Sequence, residues 1–204
     1  AVELLNDTAA AEVARQLSPV SGLRGVLLAV AIASVPEAVE AQLRSAQTMA
    51  REASDALILE GAVHEAFWAA VRDFGPGEGA VMVLKASVLL TKVAEAIQRG
   101  EHLAAQRGLR VAIISEAGTG ILRYYFRGDD DADGLKRLAE VVDPLRAFAV
   151  EAKGSLVVLQ APPGVKAVVD VWGPAGKGFP LMRELKEQFD PGHILNPGRF
   201  VGGL

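Results

Sequence analysis

Cysteine is absent from the 204 residues, which removes disulfides and thiolate metal sites from consideration. Histidine occurs three times, at the scattered positions His64, His102 and His193, with no second histidine at ligand spacing beside any of them. Basic residues are not in excess: the formal charge is −4, whereas a nucleic-acid-binding module carries a basic face. No apolar run reaches the ~18 residues of a membrane helix. The longest candidate, Val26 to Val35, is the length of a buried strand. No leader peptide is visible, and the start at Ala1 rather than Met suggests a processed or excised piece. What remains, 50% hydrophobic and 23% charged, is globular composition for one large domain or two small ones.

Periodicity and punctuation predict the elements. Residues 8–17 suit a helix capped by Thr8 and ended by Ser18, Pro19, Ser21 and Gly22. Residues 25–33 suit a strand. Ser34-Val35-Pro36-Glu37 has the form of a capping box for a helix to about Ala53, with Val35, Val39, Leu43, Ala46 and Met49 on one face. Residues 56–61 suit a second strand, and Val63, Phe67 and Val71 mark a further helix that stops at a glycine loop, residues 75–79. Beyond it come a strand (80–87), a helix (about 90–106), and two strands (109–118, 120–128) meeting across Gly118-Thr119-Gly120. Residues 133–152 are helical, with a break expected near Pro144 and Asp143 capping the second piece. A strand (155–162) and a helix (180–189) complete the order.

The second half is thus β-α-β-β-α-β, the ferredoxin-like pattern, and the first half is a partial βα copy. The expected class is α+β: a largely antiparallel sheet with helices on one face. The expected organisation is an N-terminal helix and linker (1–25), a ferredoxin-like body (26–178) and a C-terminal helix and tail (179–204).

Several patterns could carry chemistry. Asp129, Asp131, Asp133-Gly134 and Glu140 match a calcium-loop expression, yet a strand-like segment precedes them where a helix is required, and Lys136 replaces an apolar residue. The alternative is an acidic hairpin exit that favours the start of the next helix. The phrases GPGEG, EAGTG and GPAGKG are turns: none completes a phosphate loop or a dinucleotide fingerprint. Arg72, one helical turn from Trp68, is either the rim of a core aromatic or a hold for a substrate carboxylate.

The end of the chain is the most specific feature. Phe189-Asp190-Pro191, then Leu195-Asn196-Pro197-Gly198-Arg199 and Phe200-Val201-Gly202-Gly203, concentrates turn residues beyond any helix-stop requirement. This tail resembles the closing signature of FAD-linked oxidases of the vanillyl-alcohol oxidase type, most closely the FAD-binding E subunit of bacterial glycolate oxidase. The resemblance implies a cap domain that covers the flavin and shapes the substrate site. It implies cofactor contact at Asn196 and Arg199. Substrate contact at Arg72 and Arg123 is a more distant expectation. It implies FAD in the full-length protein, held by a separate domain. That domain's glycine-rich phosphate loop has no counterpart here, so this chain alone is expected not to retain the flavin. The implied partners are that flavin-binding domain, a catalytic flavoprotein subunit and an iron–sulfur subunit. The implied location is the cytoplasm or, through partners, the inner membrane face, without membrane insertion and without nucleic acid.

The resemblance also has a gap. Hydroxy-acid-oxidising relatives carry His-x-Gly-Asp-Gly-Asn-x-His, and here Glu116 and Arg123 stand in place of the two histidines. Val158, Leu159 and Gln160 fall where a later Glu-His is expected. A metal/histidine catalytic site is therefore not expected in this polypeptide, and catalytic residues are not assigned. Glu116 and Arg123 are placed to pair across the hairpin. The competing reading is a non-enzymatic ferredoxin-like ligand-binding or assembly module. The tail, lacking the surface it would meet, is expected to be poorly anchored after Phe189.

Overall fold

A computed structural model describes residues 1–15, 17, 24–53, 55–75 and 80–204. Its strands are β1 (Val2–Leu5), β2 (Leu27–Val30), β3 (Ala80–Ser87), β4 (Arg110–Glu116), β5 (Ile121–Gly128) and β6 (Ser155–Gln160). Its helices are α1 (Asp7–Arg15), α2 (Pro36–Met49), α3 (Gly61–Arg72), α4 (Val93–Gln106), α5 (Ala132–Ala139), α6 (Val142–Glu151), α7 (Pro163–Lys166) and α8 (Phe179–Phe189). The sheet order is β2-β1-β4-β5-β3-β6. Within it, β4-β5-β3-β6 is the antiparallel arrangement that a βαββαβ chain order produces, so the α+β, ferredoxin-like expectation holds. The chain forms two compact units: Ala1–Gly75 with Ala112–Leu122, and Pro76–Val111 with Arg123–Leu204.

In the first unit β1 runs antiparallel to β2 (Val2↔Val30, Leu4↔Leu28) and to β4 (Leu5↔Ile114). β1 was not expected, because four residues carry little periodicity. The cap of α1 is Asn6 and not Thr8, which lies inside the helix. Asn6 Oδ1 accepts the Ala9 amide at 3.1 Å and also the Ile113 amide at 2.9 Å, so one buried side chain serves both a helix start and a neighbouring strand. The helix buries Ala9, Ala10, Val13 and Ala14, and α3 buries Phe67 and Val71. The expected stops at Ser18, Pro19, Ser21 and Gly22 lie outside the described residues, as does most of the glycine loop 75–79.

Three other expectations for this unit are corrected. The capping box at Ser34–Glu37 does not form: Val35 is the cap residue with no side-chain bond, and only Pro36 in the first turn is as expected. The helix ends at Met49, and it buries no residue fully. Residues 56–60 are not a strand. Their β-propensity meets no ladder partner among the described residues, and Leu57 and Ile58 stay about half exposed.

The second unit follows its expected elements closely. Met82, Leu84 and Ala86 of β3, Tyr124 and Phe126 of β5 and Leu156 of β6 are buried, as are Ile97, Leu138, Leu145 and Phe148 of the helices. Tyr124 donates its hydroxyl to the Ala96 carbonyl of α4 at 3.1 Å, and burial raises its pKa. The helical stretch 133–152 does break, between α5 and α6. Pro144 falls in the first turn of α6, where a missing N–H costs nothing. Asp143 does not cap: Val141 is the cap residue, and the Asp143 carboxylate meets Arg146 at 3.3 Å. α5 is capped by Asp131, which accepts the Gly134 amide at 2.7 Å. Asp131→Ala is expected to destabilise this unit by about 1 kcal/mol, checked by urea unfolding. A midpoint equal to the parent's would remove the cap from the account.

Candidate functional site

The candidate site grows out of α8 and the residues after it, all in the second unit. Proline sits in the first turn of α8, and Lys186 sits in its last. Asp190 follows Lys186 by four residues, a spacing that stacks the two side chains on one helix face. Lys186 Nζ donates to the Asp190 carboxylate and, at 2.7 Å, to the Leu195 carbonyl. The Ile194 and Leu195 amides donate to the two Asp190 oxygens at 3.0 Å each, and the His193 amide to the Asp190 carbonyl at 2.9 Å. Asp190 is only 5% exposed. The Lys186 hydrogen bond, helped by the Ile194 and Leu195 amides and opposed by burial, holds this carboxyl down at about 2.

The expectation of a poorly anchored tail is therefore overturned. The tail is tied back onto α8 by its own residues. A second tie follows: the Trp172 indole N–H donates to the Arg199 carbonyl at 3.0 Å, and the Trp172 and Phe200 rings meet edge to face at 5.2 Å. The chain then crosses Phe179 at Gly202, whose φ is +63°. A Cβ there would stand 2.4 Å from the Phe179 ring, so a larger residue would have to displace that ring as well as hold a left-handed φ that favours glycine.

Between the two ties lies Asn196-Pro197-Gly198-Arg199. Asn196 takes a left-handed φ of +48° and Gly198 one of +70°. Asparagine is among the few non-glycine residues that accept this conformation readily. The side chains of Asn196 and Arg199 are exposed and have no hydrogen-bonding partner among the described residues. Both line an open groove of about 640 Å³ with Met182, Leu185, Lys186, Leu195, Phe200 and Leu204. An apolar wall beside an amide and a guanidinium suits a ligand with a flat apolar body and an anionic or carbonyl-bearing edge.

The other expected site residues are not part of this groove. Arg72 ends α3 in the first unit, where it faces solvent and pairs with Asp73 at 2.9 and 3.0 Å. That bond raises the arginine's pKa and lowers the aspartate's. Arg72 does not stack on Trp68 at a distance that would make it that ring's rim; Trp68 instead meets Phe67 edge-on at 5.5 Å. Arg123 lies half-buried on β5, where its charge offsets part of the rise that burial gives the Tyr125 hydroxyl. The calcium-like carboxylates are occupied otherwise. Asp131 is the α5 cap, Asp129 and Asp133 pair with Arg137 at 2.9 and 3.1 Å, and Glu140 with Arg107 at 3.4 Å. Among the described residues no cluster of three or more His, Asp or Glu side chains could hold a metal ion. Trp172, Lys186 and Asp190 were missed as working parts of the site, although the Lys186–Asp190 spacing was visible.

A family model described as "FAD linked oxidases, C-terminal domain" matches residues 1–157 and 172–200. The chain belongs to that family. The matched stretch includes both ties of the tail and the Asn196–Arg199 segment between them. No curated protein matches the chain. As an FAD-linked oxidase C-terminal domain, the chain is the cap domain of an FAD-linked oxidoreductase, and membership implies FAD in the full-length protein. The groove's donor set fits such a group: Arg199 can meet an anionic oxygen with a planar fork, and Asn196 can donate to a ring carbonyl or accept from a ring N–H. Among the described residues no helix is long and apolar enough to cross a membrane.

Proposed function

We propose that this cap domain belongs to a subunit of the glycolate oxidase FAD-binding kind and furnishes part of the flavin and substrate surroundings for oxidation of a 2-hydroxy acid. The observation that carries this reading is the free pair Asn196 and Arg199, held on a loop tied at both ends and opening on one groove. Bound FAD supplies the two-electron acceptor of such an oxidation. The contribution of this chain is to bind and orient: Arg199 presents a permanent positive charge, Asn196 a neutral donor and acceptor, and the Met182, Leu185 and Leu195 wall excludes water from that side. Glu116 and Arg123, where relatives carry histidines, do not supply a neutral imidazole, so the proton-abstracting group is assigned to a partner subunit. Within this reading the partners are the protein's own flavin-binding domain, a catalytic flavoprotein subunit and an iron–sulfur subunit, in the cytoplasm or at the inner membrane face. The isolated chain is expected not to retain FAD.

The test uses the full-length flavoprotein. Arg199→Ala is expected to weaken FAD binding on the order of tenfold, the loss of one charge-assisted hydrogen bond. Asn196→Ala should weaken it less. Flavin titration of the apoprotein measures both. Affinities equal to the parent's in both variants would remove the tail from the flavin site.

A further inference from the structure

We propose that Trp172 is a positioning residue, which sets the direction in which the Asn196–Arg199 loop presents its two free side chains. The inference rests on the reading that this loop meets FAD or the domain that carries it. The loop has two fixed ends. At one, Lys186 holds the Leu195 carbonyl; at the other, the Trp172 indole N–H holds the Arg199 carbonyl, its one partner among the described residues. Removing the second tie leaves the Arg199 backbone free to turn, and with it the guanidinium.

Trp172 is itself braced from behind. Its backbone amide donates to Asp170 Oδ1 at 2.9 Å, and the Asp170 carbonyl accepts from Arg146 Nη2. Arg146 is buried, at 8% exposure, and also reaches the Leu156 carbonyl of β6 at 3.4 Å. The Val158 amide of β6 donates to the Val171 carbonyl at 2.8 Å. Gly173, at φ +80°, lies so close to Arg146 that a Cβ would stand 2.9 Å from its Nε. The backbone that carries the indole is thus tied to its own unit at Asp170, through Arg146, and at Val171, through β6. Yet Trp172 remains 40% exposed, so core burial does not explain the ring. What the exposed ring does is direct one N–H at the carbonyl of the residue whose side chain enters the groove, and brace Phe200 edge-on beside it.

Trp172→Phe separates the two roles, because phenylalanine keeps a ring against Phe200 and lacks the donor. In the full-length flavoprotein this substitution is expected to speed amide hydrogen exchange at the Arg199 amide, which bonds the Asn196 carbonyl at 3.2 Å, by roughly threefold to tenfold, the worth of one neutral hydrogen bond. The same substitution should weaken FAD binding several-fold and move the bound flavin's visible absorption band, with the melting temperature kept. Trp172→Ala should do more of each. Unchanged exchange in both variants overturns the inference whatever the flavin does. So does faster exchange with FAD affinity and spectrum unchanged, provided Arg199→Ala does weaken FAD. If Arg199→Ala is also silent, the flavin-contact reading itself falls, and the presenting role falls with it.

Discussion

Gly154→Ala is expected to be the most damaging single-methyl change in the second unit. Just past α6, Lys153 stands in the left-handed region at φ +59°, and the Gly154 amide donates to the Ala149 carbonyl at 2.8 Å. The chain then enters β6, whose first residue pairs with Ser87 at the end of β3. A Cβ on Gly154 would lie 1.7 Å from the Ser87 carbonyl oxygen and 2.7 Å from its carbon. Both are backbone atoms in a hydrogen-bonded ladder, so no rotamer change relieves the overlap. The end of the β3–β6 pair must separate, at a cost on the order of 3 kcal/mol or more, the upper range for overpacking. For a chain of this size that corresponds to a fall in Tm of roughly 6–12 °C. Gly118→Ala is the control: nothing lies within 4 Å of its Cβ position, and it should stay within about 0.5 kcal/mol of the parent. Thermal unfolding of both variants decides; equal melting temperatures would show that β3 and β6 are not held at this spacing.

Much of the stretch from β3 to β6 was legible because its signals are local. β3 to β6 alternate or run apolar over six to eight residues, are bounded by glycine, and bracket helices of clear period. The first unit was less so. Asn6 works through a partner 107 positions away, which no local window contains, whereas Thr8 had the right residue type two positions later and lost. Residues 56–60 have strand composition, but a strand needs a neighbour with free ladder groups, and composition does not report one. At the tail the position was reversed. Asn196 and Arg199 could be chosen from the closing signature, and they share one groove. Their anchoring could not, because the Trp172–Arg199 bond spans 27 positions. A tail without the surface it would meet is poorly anchored only if it has no ties of its own, and this one has them. What is left uncovered is side chain and not backbone: Ile194 is 79% and Leu195 61% exposed on a backbone that is hydrogen-bonded on both sides.

Those ties lead to the second large effect, at Asp190. Replacing it by asparagine keeps the shape and removes the charge. One amide oxygen can still accept from Ile194 or Leu195, but the amide nitrogen then faces either the other backbone N–H or the Lys186 ammonium, donor against donor. Lys186, with a side chain 16% exposed, loses its counter-charge in the same step. Residues 191–200 should therefore exchange their amide hydrogens far faster in Asp190→Asn at neutral pH, while β3 to β6 keep theirs. Acid should reproduce the effect in the unaltered chain, and the sign is fixed by the direction of the shift. The folded carboxyl titrates at about 2, below its ordinary value near 3.8, so its contribution is complete above about pH 4 and is lost as the pH falls toward 2. Between pH 5 and 8 the tail's protection should not vary on account of this group. Hydrogen exchange followed by mass spectrometry across that range and down to pH 2 tests both halves. Tail protection that survives in Asp190→Asn, or that is lost already near pH 6, would show that something other than this carboxylate holds the loop.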